Sequence, residues 1–331
     1  MSASSAGGAT PSFINARIMR LAEVRFSIVI VHRNGEQMLL KALAALMQAV
    51  SDVDEIVVVD NGSTDASVQA VRAGFPSVTL IENGCNNGFA RACNQGVAVS
   101  HGDYILFLNN DAFLPGDALD RFEQDFETYP NAALIGGQLV GEAGQPQRSA
   151  GVAPTVLSEL GLFRRRQPVV VDADQSVEVE TLVGACMAFR RAAASAGLLD
   201  EDFFFYFEET EWCVRLRRRG WLVMLDPRVR VTHLKGASTR AVRRDAQIEM
   251  FRSRLLYYWK TMAWPLALFL SVWRVIRLLA NTVSYCLLGV LSLGLIARVR
   301  IRLMVYLSQL AWLLAGCPPH WGLPDKCRGQ P

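Results

Sequence analysis

The residues of this 331-residue chain that could do chemistry fall into a few short clusters. Asn109-Asn110-Asp111 ends the apolar run Tyr104-Ile-Leu-Phe-Leu108. Such a run suits a strand buried on both faces, and polar residues at its carboxyl end would stand in the crevice where open α/β sheets bind ligands. Asp111 is a hard oxygen donor, suited to Mg2+ or Mn2+, ions that take one or two protein carboxylates and fill their remaining positions from substrate phosphate and water. The same three residues also make an ordinary turn ahead of a helix.

A second cluster, Glu208-Glu209-Thr210-Glu211, directly follows the aromatic run 203–207. Mutual repulsion and apolar neighbours both raise a carboxyl pKa, which is what a general base near neutrality needs. Arg215, four residues past Glu211, would hold that carboxylate ionised and leave Glu208 or Glu209 for chemistry. Read only as structure, the segment is a helix over 208–219, acidic at its start, basic at its end and stopped by Gly220. His233 closes a strand-like run just before a Gly/Ser turn, a place that suits a metal ligand or phosphate contact as well as a structural histidine.

Strands and helices alternate ahead of these clusters. The pattern predicts strands over 26–31, 55–60, 78–81 and 104–108, with helices over 37–50, 66–73 and within 88–100. Asn61-Gly62-Ser63-Thr64-Asp65 is a turn that offers a cap to the helix at 66. This rhythm means βαβ units and a parallel sheet. Further on, a helix is expected from Asp117 to about 127, strands near 133–140 and over 182–190, a short helix ending at Gly197, and a strand pair turning at Asp226-Pro227. Residues 141–175, with Arg164-Arg165-Arg166, read as a loop region over the site. Neither G-x-G-x-x-G nor a P-loop follows the first strand, which argues against a dinucleotide oxidoreductase or a P-loop kinase.

Net charge is only +3, so no case arises for a nucleic-acid partner. The seven cysteines are scattered, odd in number and without a Cys-x-x-Cys pair, a pattern expected of free thiols in a reducing compartment. Residues 1–24 read as a disordered leader with no signal-peptide core, 25–255 as the catalytic α/β domain, and 256–331 as an amphipathic, hydrophobic helical region that associates with membrane. Leu278 to Ala297 is free of charge and about the 20 residues a bilayer crossing needs. Arginines flank it on both sides (Arg274 and Arg277; Arg298, Arg300 and Arg302), so charge does not orient a single span. A segment lying in the inner leaflet or re-entering it fits these flanks. A buried helical subdomain on the catalytic sheet is the other reading.

In this order the clusters resemble glycosyltransferase family 2, and within it the rhamnosyltransferase-like enzymes of bacterial polysaccharide assembly. The resemblance covers roughly residues 25–260 and rests on the runs 59–65, 86–90 with 94–96, 108–111, 184–187 and 204–209, followed by His233, Gly236 and Ser238. It implies a GT-A fold, with a Rossmann-like, mostly parallel sheet flanked by helices. It also implies an inverting transfer of a sugar, rhamnose in the most similar-looking members, from a nucleoside-diphosphate sugar. The acceptor would be a saccharide or a polyprenyl-diphosphate-linked saccharide, at the cytoplasmic face of a bacterial inner membrane.

Position by position, the resemblance puts Asp60 on the nucleotide base, and Asn87 and Gly88 in the donor pocket. Asn34, Asn61, Ser63, Asn94, Asn109 and Asn110 complete the donor-binding set. Asp111 and His233 would serve the Mg2+ or Mn2+, with Glu209, beside Glu208, as the catalytic base. One departure stands out, because the family usually carries Glu-Asp-x-Asp where this chain has Glu208-Glu209-Thr210-Glu211. The added methylene moves the carboxylate by about one bond length, and a misplacement near 1 Å can cost on the order of a hundredfold in rate. A catalytically silent, sugar-nucleotide-binding scaffold is therefore the alternative. A sugar nucleotidyltransferase is disfavoured, since its Gly-rich, basic phosphate loop is missing after the first strand.

Overall fold

The computed structural model describes residues 25–52, 54–163, 173–234 and 243–327. The expected leader, the Arg164–Arg166 cluster, Gly236 and Ser238 lie outside the described residues.

The alternating pattern of the first hundred residues becomes β1 (Phe26–His32), α1 (Glu36–Leu46), β2 (Glu55–Asp60), α2 (Ser67–Gly74), β3 (Thr79–Glu82), α3 (Phe89–Ala98) and β4 (Tyr104–Leu108). The four strands are parallel, in the order β3-β2-β1-β4. Successive side chains of β1 and β2 enter two different cores. Ile28, Ile30, Ile56 and Val58 meet Leu39 and Leu43 of α1, whereas Val29, Val57 and Val59 meet Ala90 and Cys93 of α3. Both faces being covered, the strands read as unbroken apolar runs. That arrangement leaves only their carboxyl ends open to a ligand.

The second half is mixed. It contains β5 (Ala112–Phe113), α4 (Ala118–Thr128), β6 (Ala132–Val140), β7 (Ala150–Gly151), α5 (Val156–Leu160), β8 (Val177–Glu178), β9 (Thr181–Leu182), β10 (Cys186–Arg190), a 3-10 turn over Arg191–Ala196, α6 (Glu208–Arg218) and β11 (Leu222–His233). The main sheet continues β4-β10-β6-β11-β5, and β8 also pairs with β11. β10 runs antiparallel to both β4 and β6, while β6 and β11 are again parallel, so the sheet is mixed, with β10 as the reversed strand between two parallel parts. The reversal matters to the site, because β10 starts where β4 ends. Gly184-Ala185 is thereby set beside the polar end of β4, and the Asn109 N–H donates to the Ala185 carbonyl at 3.0 Å.

The strand pair expected around Asp226-Pro227 is instead one strand, β11, with a break in register between Asp226 and Arg230. Proline lacks the N–H a regular ladder needs, and a bulge is where a strand tolerates it. Arg228 fastens the bulge by bonding Asp226 (2.8 Å) and Asp125 of α4 (2.6 Å). Because the strand is not broken, it runs on to present His233 beside β5.

Three helices follow: α7 (Arg243–Thr261), α8 (Trp264–Leu291) and α9 (Ala297–Leu314). The boundary expected at 255 falls within α7, whose Tyr257 and Tyr258 are buried with Phe203 and Phe207. The helix around the charge-free stretch begins earlier than expected and includes Arg274 and Arg277, then turns through Leu293 and Gly294. By length and composition α8 is long and apolar enough to cross a membrane, and only 22% of its most apolar window is buried.

Past α9 the chain returns to the sheet. The Asn86 N–H donates to the Asp325 carbonyl (2.8 Å), the Cys327 N–H donates to the Asn86 carbonyl (3.1 Å), and Cys85 is disulfide-bonded to Cys327, 242 residues away. This corrects the expectation of free thiols and removes the cysteine pattern as an argument for a reducing compartment. Spacing along the chain reports only on nearby pairs, whereas this pair is made by the returning tail. Cys93, Cys186 and Cys213 are free and buried, and Cys286 and Cys317 free and exposed.

Candidate active site

The carboxyl ends of β2, β1 and β4 carry a network that shapes two loops. Asp60, 4% exposed, accepts from the backbone N–H groups of Gly62 (3.2 Å) and Ser63 (3.0 Å) through Oδ2. Its Oδ1 is buried without a partner. Asn61 Nδ2 donates to the side-chain oxygen of Asn86 (3.0 Å) and the carbonyl of Gly88 (3.1 Å), while its Oδ1 accepts from the Asn87 N–H (2.9 Å). Asn34 Oδ1 accepts from the Thr64 N–H (2.8 Å), and the Asn34 N–H donates to Ser63 Oγ (2.8 Å). These amides hold the loops to one another.

Gly88 sits at φ +81°, and a Cβ there would come within 2.6 Å of the Phe204 carbonyl. Only glycine fits this close approach. The Phe89 N–H donates to that same carbonyl at 2.8 Å, so the Asn86–Phe89 loop is seated on the aromatic run ahead of Glu208.

At the end of β4, Asp111 and His233 meet. Asp111 Oδ1 lies 3.3 Å from His233 Nε2, both side chains are nearly buried, and His233 Nδ1 has no hydrogen-bond partner. The pairing of β5 with the last residues of β11 fixes them, with Ala112 opposite His233. Among the described residues no group of three or more His, Cys, Asp or Glu side chains is set to hold a metal. A cation here would have two protein ligands and take the rest from substrate and water, the pattern Mg2+ tolerates best.

Asn110 turns the other way, into the sheet. Its Nδ2 donates to His32 Nδ1 (2.8 Å), so His32 Nε2–H donates to Ser67 Oγ (2.9 Å), and Ser67 donates to Asp65 Oδ1 (2.5 Å). Burial pushes the His32 pKa down and keeps the ring neutral, which this one-way chain of donors requires.

Glu208 and Glu209 open α6. Tyr206 (φ +70°) and Phe207 (φ +71°) are both left-handed, a costly conformation for aromatic residues. The two residues turn the chain so that consecutive glutamates diverge. Glu208, 4% exposed, points inward, and burial, then the neighbouring Glu209, pushes its carboxyl well above the ordinary range. Glu209 lines a cleft of about 550 Å³ together with Arg148, Tyr206, Arg254 and His233. Burial raises its pKa, opposed by its own and Thr210's backbone N–H groups and by Arg148. One Glu209 oxygen, Oε2, has no hydrogen-bond partner. Glu211 is bound by Arg215 Nε at 2.9 Å, as its spacing predicts, and Arg215 also bonds the Ala196 and Leu198 carbonyls. Gly184 lies against the Glu209 side chain, where an added Cβ would meet it at 3.9 Å. The Gly184-Ala185 segment thus bonds the Asn109 backbone and passes near the Glu209 side chain.

The family model of glycosyl transferase family 2 matches residues 27–197, which runs from the second residue of β1 through β10 and ends before Glu208, Glu209 and His233. The chain belongs to glycosyltransferase family 2. Its relatives include the N-acetylglucosaminyl-diphospho-decaprenol L-rhamnosyltransferase of Mycobacterium tuberculosis, 28% identical over 60% of this chain and 72% of the relative. The dTDP-rhamnosyl transferase RfbF of Shigella flexneri is 26% identical over 63% of this chain and 68% of its own. Among solved structures, the mannosyltransferase PcManGT of Pyrobaculum calidifontis, in complex with GDP-Man and Mn2+, shares the fold with a TM-score of 0.51 at 17% identity, over 89% of this chain and 87% of its own. The fold of this family 2 member is GT-A.

Within that fold, Asp60, His233 and Glu209 each keep one buried polar atom without a partner, and Asp111 lies against His233. The side-chain amides of Asn34, Asn61 and Asn110 are engaged in the protein's own loops. Asn94 donates to the Leu199 carbonyl (2.9 Å) and to Glu201 (3.0 Å), away from Asp60 and Asp111. Sequence reasoning missed His32, Arg148 and the returning tail. A histidine ending the first strand was the only local sign of the first, and the other two gave none.

Proposed function

We propose that this family 2 glycosyltransferase moves a sugar from a nucleoside-diphosphate sugar to a hydroxyl of a saccharide or polyprenyl-diphosphate-linked saccharide, with inversion at the anomeric carbon. Rhamnose is the favoured sugar, because both relatives named above are rhamnosyltransferases. The observation that carries the reading is that Glu209 and His233 line one cleft, with Asp111 3.3 Å from His233. In this reading the base and the Asp111–His233 pair serve one cleft, which His233 lines.

Glu209 takes the proton of the acceptor hydroxyl as that oxygen attacks in line; its unpartnered Oε2 is the free acceptor the step needs. Asp60 Oδ1, also unpartnered, accepts an N–H of the nucleotide base. Asp111 and His233 hold the divalent cation, Mg2+ or Mn2+, which when bound neutralises charge on the leaving diphosphate. Glu208 stays protonated in the interior and takes no part in proton transfer. The exposed apolar residues of α8 and α9 seat the enzyme in the inner leaflet at the cytoplasmic face of a bacterial membrane, where a polyprenyl-linked acceptor is within reach.

The test is nucleoside diphosphate release with a donor panel and membrane acceptor, comparing the wild type with Asp111→Ala and Glu209→Gln. Loss of turnover in both variants with donor binding kept in Glu209→Gln is the expected result. Donor binding without release in all three proteins would establish the silent scaffold instead, and release of pyrophosphate a nucleotidyltransferase.

A further inference from the structure

A second cavity, sharing no lining residue with the Glu209 cleft, lies in the seam between α7, α8 and α9. It holds about 430 Å³ and is lined by Arg274 and Arg277 from α8 and Arg302 from α9, with Asn281, Gln309 and Tyr306 beside them. No acidic residue lines it. Arg277 donates to the Glu159 carbonyl (3.1 Å), Arg302 to the Tyr285 hydroxyl (2.9 Å), and Arg274 lies over the Phe251 ring. Among the described residues none of the three forms an ion pair with a carboxylate. Between Glu249 and Asp325 the sequence contains no Asp or Glu at all, so this charge is not neutralised from within the segment.

The surroundings say what would neutralise it. Ile276 and Leu279 on α8 and Ile301 and Met304 on α9 are exposed beside the cavity. A cationic pocket with amide and hydroxyl donors and an exposed apolar rim matches a phosphate ester carrying hydrocarbon chains. We infer that the seam between α8 and α9 binds the phosphate headgroup of an anionic membrane phospholipid, with Arg274, Arg277 and Arg302 as its donors. Arginine forks suit a phosphate better than a lysine would, and the acyl chains would run over the apolar rim. The inference rests on the membrane seating proposed above, adding to it one discrete site with headgroup selectivity.

The experiment is flotation of the full chain with vesicles of phosphatidylcholine alone and with phosphatidylglycerol as the minor lipid. Three variants are compared: Arg302→Gln, Arg274→Gln/Arg302→Gln, and Arg298→Gln/Arg300→Gln, which removes two exposed charges outside the cavity. The wild type should prefer the anionic vesicles. That preference should fall about fivefold for each cavity arginine removed, and by clearly less in the Arg298/Arg300 variant. Glycerol 3-phosphate should not displace the protein. Equal losses in the two double variants, or unchanged binding by Arg302→Gln should the double variant fail to fold, would overturn the site in favour of diffuse charge attraction. Displacement by glycerol 3-phosphate would overturn the lipid assignment. Equal flotation with both vesicle types would sink this inference while leaving the membrane seating intact. Flotation with neither would remove both.

Discussion

Replacing Glu209 by Gln keeps the shape of the side chain and deletes its basicity. No protein group donates to Glu209 Oε2, so that atom has no fixed internal bond to lose. The rate should fall by roughly 10²–10⁴-fold, the usual contribution of a positioned base, or about 3 to 5 kcal/mol of barrier. Initial rates of nucleoside diphosphate release across pH separate this from a packing defect. The base works ionised, and burial raises its pKa above 4.5, so the wild-type rate should climb with pH through a limb lying above that value. Glu208→Gln is the internal control, because Glu208 is buried, does not line the cleft, and has its carboxyl held well above the ordinary range. Its raised pKa has a separate thermodynamic consequence. The folded state binds a proton that the unfolded state has released, so stability is fully present below about pH 4.5 and declines as pH rises toward the folded pKa. The slope in that window is about 1.4 kcal/mol per pH unit. Glu208→Gln should flatten the slope in thermal melts and leave the rate within a few-fold of wild type. A Glu209→Gln enzyme with wild-type turnover, or a Glu208→Gln enzyme impaired as badly as Glu209→Gln, would refute the division of labour.

Gly88→Ala should cost about 2–5 kcal/mol, combining strain at φ +81° with a Cβ 2.6 Å from the Phe204 carbonyl, read as a lower melting temperature and weaker donor binding by calorimetry. His32→Ala should cost about 1–3 kcal/mol by stranding the Asn110 amide. Because burial lowers the His32 pKa, its share of wild-type stability is present above about pH 6.5 and lost as pH falls through the lower folded value, a decline absent from the variant. Cys85→Ser should lower stability by on the order of 2–5 kcal/mol and weaken donor affinity, and reductant should reproduce both effects in the wild type but not in the variant.

The first half of the sheet was legible because each strand is an apolar run ending in a polar residue, so strand position and open edge could be read together. The placing of Asp60, Asn109 and Asp111 at strand ends could be read for that reason. The direction of β10 was not legible: an apolar segment such as 186–190 carries its period but not the side from which the chain arrives. Asp226-Pro227 looks like a turn to any local reading, and only the Arg228 pairs with Asp125 and Asp226 explain why the strand passes through it. For Glu208 and Glu209 the sequence supplied the raised pKa values but not which carboxylate faces the cleft. That is decided by two left-handed aromatic residues just upstream, a conformation that side-chain type does not announce. Asn61 and Asn110 carry hydrogen bonds that sequence did not announce, since polar residues beside a sheet edge also serve as the framework under it.

The way the tail closes on Asn86 has a bearing on how the enzyme is made. The loop at Asn86 is fastened by residues synthesised 242 positions after Cys85, once every helix from α3 to α9 has been laid down. A nascent chain therefore carries a finished sheet before the residues that fasten the Asn86 loop have been made. A premature stop just beyond α9 would leave a protein with all of its expected catalytic carboxylates and a loosened grip on the activated sugar.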